Sequence, residues 1–159
     1  MTKQQFIALV TDEQESLRRF LLALCCGNRD ESEDIAQDSL IKAYLSLDKY
    51  TEQCKFSAWL FKIAYRTFFD YKRKDTRQVI SLDAADGAAQ QLMAESAADY
   101  QELYIALDAL PSKERYAILL FYMQGYSVRE ISQITDCSED AVKKQLSRGR
   151  DQLKNKIQR

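Results

Sequence analysis

YSVREISQITDCSEDAVKKQLSRGR, residues Tyr126–Arg150, is the stretch on which the reading of the chain turns. Ser127 with Glu130 three residues on is the signature of a capping box at the start of one helix, and Ser138 before Glu139, Asp140 and Ala141 opens the next. Asp136 marks the break between them. Such turns commonly carry glycine, and Asp enters the left-handed region more readily than most other residues; Cys137 then plugs the turn as a small apolar side chain. In the second helix Ala141, Val142, Leu146 and Leu153 recur at helical spacing and face inward, which leaves Lys143, Lys144, Ser147, Arg148 and Arg150 on the other faces. A helix locked on one side and lined with long donors and short hydroxyls on the other suits the major groove, and the pair reads as a helix-turn-helix. The same basic residues can instead simply solvate the helix and favour the C-terminal end of its dipole.

On the N-terminal side of this pair, Gly125 ends a helix written KERYAILLFYM, for which Ser112 is the expected cap after the break at Leu110-Pro111, and a further helix occupies about Tyr100–Leu110. Residues 78–98 differ in character, being small, polar and acidic. Between Arg77 and Lys113 no basic residue occurs, while Asp83, Asp86, Glu95, Asp99, Glu102 and Asp108 are all negative. A segment this one-sided either stays solvated or tracks a basic surface. Before it, Phe6, Leu9, Val10, Leu17, Phe20, Leu21 and Leu24 mark a first helix stopped by Gly27-Asn28. A second runs from about Glu31 to Asp48 with Ile35, Leu40, Ala43, Tyr44 and Leu47 on its apolar side. After the loop Lys49–Lys55, a third carries Phe56, Trp59, Leu60, Ile63, Ala64 and Phe68 and dissolves into YKRKDTR. The fold class expected is all-α: a helical domain over 1–77, an acidic linker over 78–98 and a helix-turn-helix domain over 99–159.

Composition agrees with that class and narrows the chemistry. Of 159 residues only one is Pro and four are Gly, and 46% are hydrophobic. The chain has no histidine, and its four cysteines (Cys25, Cys26, Cys54, Cys137) make no C-x-x-C pair, so neither a metal nor another cofactor is expected. No nucleophile motif or phosphate loop is present, and no enzymatic activity is expected. The N-terminus lacks a basic segment followed by an apolar run, and no stretch approaches the apolar length of a membrane span; a soluble, cytoplasmic protein without membrane insertion follows. With 23 basic against 24 acidic residues the net charge is −1, which by itself repels phosphate.

ALPSKERYAILLFYMQGYSVREISQITDCSEDAVKKQLSRGRDQL resembles region 4 of the bacterial sigma-70 family. SEDIAQDSLIKAYLSLDKY, followed after a short loop by FSAWLFKIAYRTFFDYKRK, resembles region 2 of the same family in its compact extracytoplasmic-function (ECF) form. The resemblance implies a sigma factor, carried by RNA polymerase core to promoter DNA, which reconciles a DNA-binding function with an acidic chain. It implies that Asp34, Gln37, Asp38 and Ile41, which share one face of the second helix, meet the clamp helices of the largest subunit; spacing alone favours the simpler reading, two carboxylates that serve the helix dipole. It implies that the −10 element is captured and melted by Glu52, Gln53 and Lys55 of the loop with Lys62, Arg66, Thr67, Asp70 and Arg73 of the next helix. The −35 element falls to Ser127, Lys143, Lys144, Ser147 and Arg148. Tyr116, Leu119, Leu120 and Met123 exceed what a small core requires, and Leu119 and Leu120 are assigned to the flap of the second-largest subunit. An anti-sigma protein is a further expected partner, and the linker is expected to thread a basic channel of the polymerase. Two other readings remain open: a stand-alone helix-turn-helix regulator, and a helical adaptor that binds only protein.

Overall fold

A computed structural model describes residues 1–51, 54–79 and 100–157, and among these all regular structure is helical. The N-terminal half consists of α1 (Lys3–Leu24), α2 (Arg29–Leu45), a 3-10 turn at Leu47–Lys49 and α3 (Phe56–Val79). The C-terminal half consists of α4 (Gln101–Asp108), α5 (Ser112–Tyr122), α6 (Val128–Thr135) and α7 (Glu139–Ile157).

The helix ends follow local chemistry. Thr2 and Gln5 close a capping box on α1, and the Asn28 side chain accepts from Glu31 N to start α2. Between these helices Cys26 (φ 55°) and Gly27 (φ 89°) turn the chain through left-handed conformations. Two boundaries differ from the sequence reading. Pro111, not Ser112, holds the N-cap position of α5, and no side chain caps it. YKRKDTR continues α3 through Val79, because Lys and Arg are good helix formers. The linker expected over 78–98 therefore gives its first two residues to α3; residues 80–99 lie outside those described.

The two halves share one core. The Phe20 ring of α1 meets Phe61 of α3 and Tyr116 of α5 edge-on, at centroid distances of 4.9 and 5.0 Å, and Tyr116 also stacks edge-on against Tyr65 at 4.8 Å. Tyr116 is fully buried, and its hydroxyl donates to Phe61 O (2.7 Å) near the middle of α3. Arg115, only 6% exposed, donates from Nη1 to Leu24 O at the end of α1 (2.7 Å). From Nε it reaches Leu107 O (2.8 Å), and from Nη2 Leu110 O (3.0 Å) and Asp108 O (3.5 Å). One guanidinium thus satisfies carbonyls at the ends of both α1 and α4, where the helix dipoles favour a cation. Within the C-terminal half, Gly149 lets α7 lie close on α5: a Cβ there would stand 2.6 Å from Ile118 Cγ1.

Candidate functional site

The helix-turn-helix forms as its sequence requires. Ser127 Oγ accepts from Glu130 N (3.2 Å) while Glu130 Oε1 accepts from Ser127 N (3.1 Å). Asp136 ends α6 in the left-handed region (φ 57°, ψ 28°), and Ser138 Oγ accepts from Ala141 N to begin α7. Cys137 sits half-buried in the turn, its carbonyl accepting from Ser132 Oγ. Val142 and Leu146 are buried and Ala141 and Leu153 half-buried, so the apolar register of α7 is as expected. Lys143, Lys144, Ser147 and Arg148 are exposed together on its outer side, and among the described residues no carboxylate pairs with them. Ser127 is exposed too, but its side chain is engaged in the cap.

On α2 the spacing argument also gives a surface. Asp34, Gln37, Asp38 and Ile41 are all exposed, Ile41 by 57%, and Leu45, 72% exposed, extends the same face by one turn. An acidic rim beside bare aliphatic side chains suits a basic, partly apolar partner better than it suits water. Leu45 was not singled out from the sequence, although its spacing of four from Ile41 points to it.

The third group is more mixed. Lys62 and Arg66 of α3 do lie side by side, but both are paired to Asp136 of the helix-turn-helix, Lys62 Nζ at 3.3 Å and Arg66 Nη2 at 3.2 Å. Partial burial works to raise the Asp136 pKa, but hydrogen bonds and charge from Arg66 and Lys62 outweigh it and hold the carboxyl below its ordinary value. Lys55 is exposed and pairs with Glu130 (3.5 Å), and Arg73 pairs with Asp70 on its own helix. Thr67 is not a surface residue: it is 2% exposed, and its hydroxyl donates to Ile63 O (2.8 Å) and accepts from Lys42 Nζ (3.4 Å). Glu52 and Gln53 lie outside the described residues. Beside Lys62 is a cavity of about 390 Å³ lined on one side by Thr51, Cys54, Ala58 and Trp59 and on the other by Gln133 and Ile134 of α6. Trp59 packs against Tyr50 and Phe56, as core packing predicts, and also forms a wall of this cavity.

Leu119 and Leu120 are buried in the closed chain, with the fully buried Tyr116 beside them. The apolar side chains of α5 are spent both on α7 and on the N-terminal half, and the large apolar side chains left exposed at its end are Tyr122 and the C-cap residue Met123.

Family models match both halves in order: "Sigma-70 region 2" over residues 9–78 and "Sigma-70, region 4" over residues 100–153. The chain is 30% identical over 140 residues to the ECF RNA polymerase sigma factor EcfG of Rhodopseudomonas palustris, covering 87% of this chain and 77% of that one. To the ECF sigma factor SigM of Bacillus subtilis it is 32% identical over 140 residues, covering 86% and 85%. The chain belongs to the ECF sigma factors of the sigma-70 family. Its fold matches that of the sigma factor RpoE from Bartonella quintana, solved with the anti-sigma factor NepR (TM-score 0.81, 26% identity, 98% of each chain). A weaker match, to CnrH solved with the cytosolic domain of CnrY (TM-score 0.69, 23% identity, 99% of this chain and 90% of that one), concerns the fold alone. As an ECF sigma factor the chain functions in transcription initiation, and the match to both regions disfavours the stand-alone regulator and the protein-only adaptor. Sigma factors are in general DNA-binding regulators. Among the described residues no helix is long and apolar enough to cross a membrane.

Proposed function

We propose that this ECF sigma factor works through three separate surfaces of its own chain. The exposed face Asp34, Gln37, Asp38, Ile41 and Leu45 docks on the clamp helices of polymerase core. The −10 element is held by the outer side of α3, with Lys62 and Arg66 on its phosphates and the wall formed by Thr51, Ala58 and Trp59 taking an unstacked base once Gln133 and Ile134 have moved off it. Glu52 and Gln53 of the loop are proposed to add polar contacts there, and Lys55 and Arg73 to add phosphate contacts. Lys143, Lys144, Ser147 and Arg148 read the −35 element. The single observation that carries this reading is the exposed, unneutralised basic face of α7 on an otherwise acidic chain: it suits local base and phosphate contacts but not independent tight binding. Delivery by polymerase resolves that conflict, and the protein does no chemistry itself. A cytoplasmic location follows from the same reading, as does a division into two domains around the linker, the first extended from 1–77 to the end of α3 at Val79.

An anti-sigma protein is part of the proposal. RpoE of B. quintana was solved with one, and this chain closes around an apolar groove of about 990 Å³ that includes Leu22, Leu103, Tyr122 and Met123, with Arg19, Arg29, Arg150 and Lys154 around it. An amphipathic helix with acidic flanks fits that lining. A flap contact by Leu119 and Leu120 would require α5 to be uncovered first; Tyr122 and Met123 are available without that step.

The test is run-off transcription from a genomic fragment library with purified core polymerase, with and without the chain. Initiation at discrete sites only when the chain is added is the expected result. A chain that footprints an operator tightly by itself and adds nothing to core transcription would overturn the reading.

A further inference from the structure

The turn of the helix-turn-helix bears on the other DNA-binding surface of the same molecule. Asp136 occupies a left-handed position where glycine would fold with least strain, so its carboxylate is not required by the turn. That carboxylate lies within 3.3 Å of both Lys62 Nζ and Arg66 Nη2, the two cations proposed for −10 phosphates. Around this contact α6 lies along α3, Gln133 and Ile134 close the cavity beside Trp59, Glu130 pairs with Lys55, and Tyr126 donates to Ser57 Oγ at 2.7 Å. Every one of these interactions joins the helix-turn-helix to the −10 surface, while the basic face of α7 stays open.

We propose that Asp136 is an intramolecular stand-in for a promoter phosphate, which latches the helix-turn-helix over the −10 surface and keeps the free chain closed until polymerase separates its halves. The inference rests on the assignment of Lys62 and Arg66 to −10 DNA. Closure and strand capture compete for the same two cations and the same wall beside Trp59. The apparent affinity of the free chain for DNA is therefore its open-state affinity multiplied by the open fraction. Once core holds the halves apart, the latch has nothing to oppose.

Asp136→Asn tests this without disturbing the turn, since Asn keeps the size and tolerates the left-handed region. Tyr126→Phe is the companion variant: it removes the Ser57 bond and changes no charge. Binding of a fluorescein-labelled DNA fork with a single-stranded tail is measured by anisotropy at low salt, for the free proteins and for their complexes with core. Each variant is expected to tighten binding of the free chain about fivefold, the scale of one or two half-exposed polar contacts. In the core complexes parent and variants agree within about twofold, because the latch is already open. Small-angle scattering of the free variants shows a larger radius of gyration than the parent. Unchanged DNA affinity and unchanged radius in both free variants would overturn the latch. So would an equal gain for Asp136→Asn in the free and core-bound states, which would mean that removing a charge near DNA accounts for it. The free-chain measurements do not need transcription, so failure of the run-off assay and failure of the latch are separate results.

Discussion

Arg115 is the residue whose loss should cost the chain most for its size. Its guanidinium is buried with no carboxylate partner among the described residues and makes three close bonds to carbonyls, at 2.7, 2.8 and 3.0 Å, plus a weaker one at 3.5 Å. A hydrogen bond to a charged group contributes roughly 1.5–3 kcal/mol net, but bonds from one group are not additive, and removing a buried cation also relieves its desolvation. Arg115→Met, which keeps the apolar stem, leaves the carbonyls of Leu24, Leu107 and Leu110 without this donor, and we expect a loss of about 3 kcal/mol. With a urea slope of about 2 kcal/mol/M, the midpoint falls by about 1.5 M. Arg115→Lys should lose about half as much, because a single ammonium cannot serve the ends of α1 and α4 together. Trp59 fluorescence and far-UV circular dichroism should report coincident transitions in the parent, since the two halves share a core. A midpoint shift below about 0.5 M for Arg115→Met would refute the argument that this residue joins the halves.

Changing Lys144 and Arg148 to Ala should weaken −35-dependent initiation by roughly 1–3 kcal/mol for each side chain that reads a base edge, with competition for core unchanged. Asp38→Lys should do the reverse and lower core affinity in a competition assay before it alters promoter choice; parental competition would remove Asp38 from the clamp surface. Burial pushes the Tyr65 hydroxyl up to about 12 and raises Tyr116 and Tyr126 from their ordinary 10.0, and it pushes the Cys26 thiol from 9.0 to about 11 and Cys25 further. Folded values above unfolded ones mean that the stability these groups contribute is complete below pH 9 and is lost as pH rises through the folded values. Urea midpoints measured between pH 8 and 12 should therefore fall from about pH 9 upward, and a flat profile would contradict the burial of this cluster. At pH 8, exposed Cys54 should react with a thiol reagent well before Cys25 and Cys26.

What could be read from the sequence was what is local. The Ser127 and Glu130 capping box, the break at Asp136 and the inward register of Val142 and Leu146 each involve residues a few positions apart, where helical geometry leaves little choice. Faces were legible in the same way, but exposure was not. Asp34, Gln37, Asp38 and Ile41 are all exposed, whereas Thr67, one residue and about 100° round the helix from exposed Arg66, turns into the core. The extension of α3 through YKRKDTR is not legible in the sequence because a basic polar run carries no apolar period, although Lys and Arg are good helix formers.

The docking of the halves was the part that periodicity could not supply. Tyr116 finds Phe61 O 55 positions away, Tyr126 finds Ser57 69 positions away and Arg115 finds Leu24 91 positions away. From sequence, the apolar surplus of α5 looks like a surface for a partner, and Leu119 and Leu120 were read as one. In the fold both are buried within the chain, and Tyr116 of the same helix packs on Phe20, Phe61 and Tyr65 of the N-terminal half. For the same physical reason an aspartate at the turn looks, from sequence, like a tolerated departure from glycine and nothing more. Its carboxylate acquires a partner only when α3 arrives, and then it pairs with both Lys62 and Arg66. If closure is its purpose, Asp136→Gly should relax the turn and yet loosen the closed chain. Two opposing effects would then be seen in one variant: a helix-turn-helix half that is no less stable, and domains that separate more readily in small-angle scattering. A Gly variant as closed as the parent would show that the aromatic core around Tyr116 holds the halves together without the aspartate.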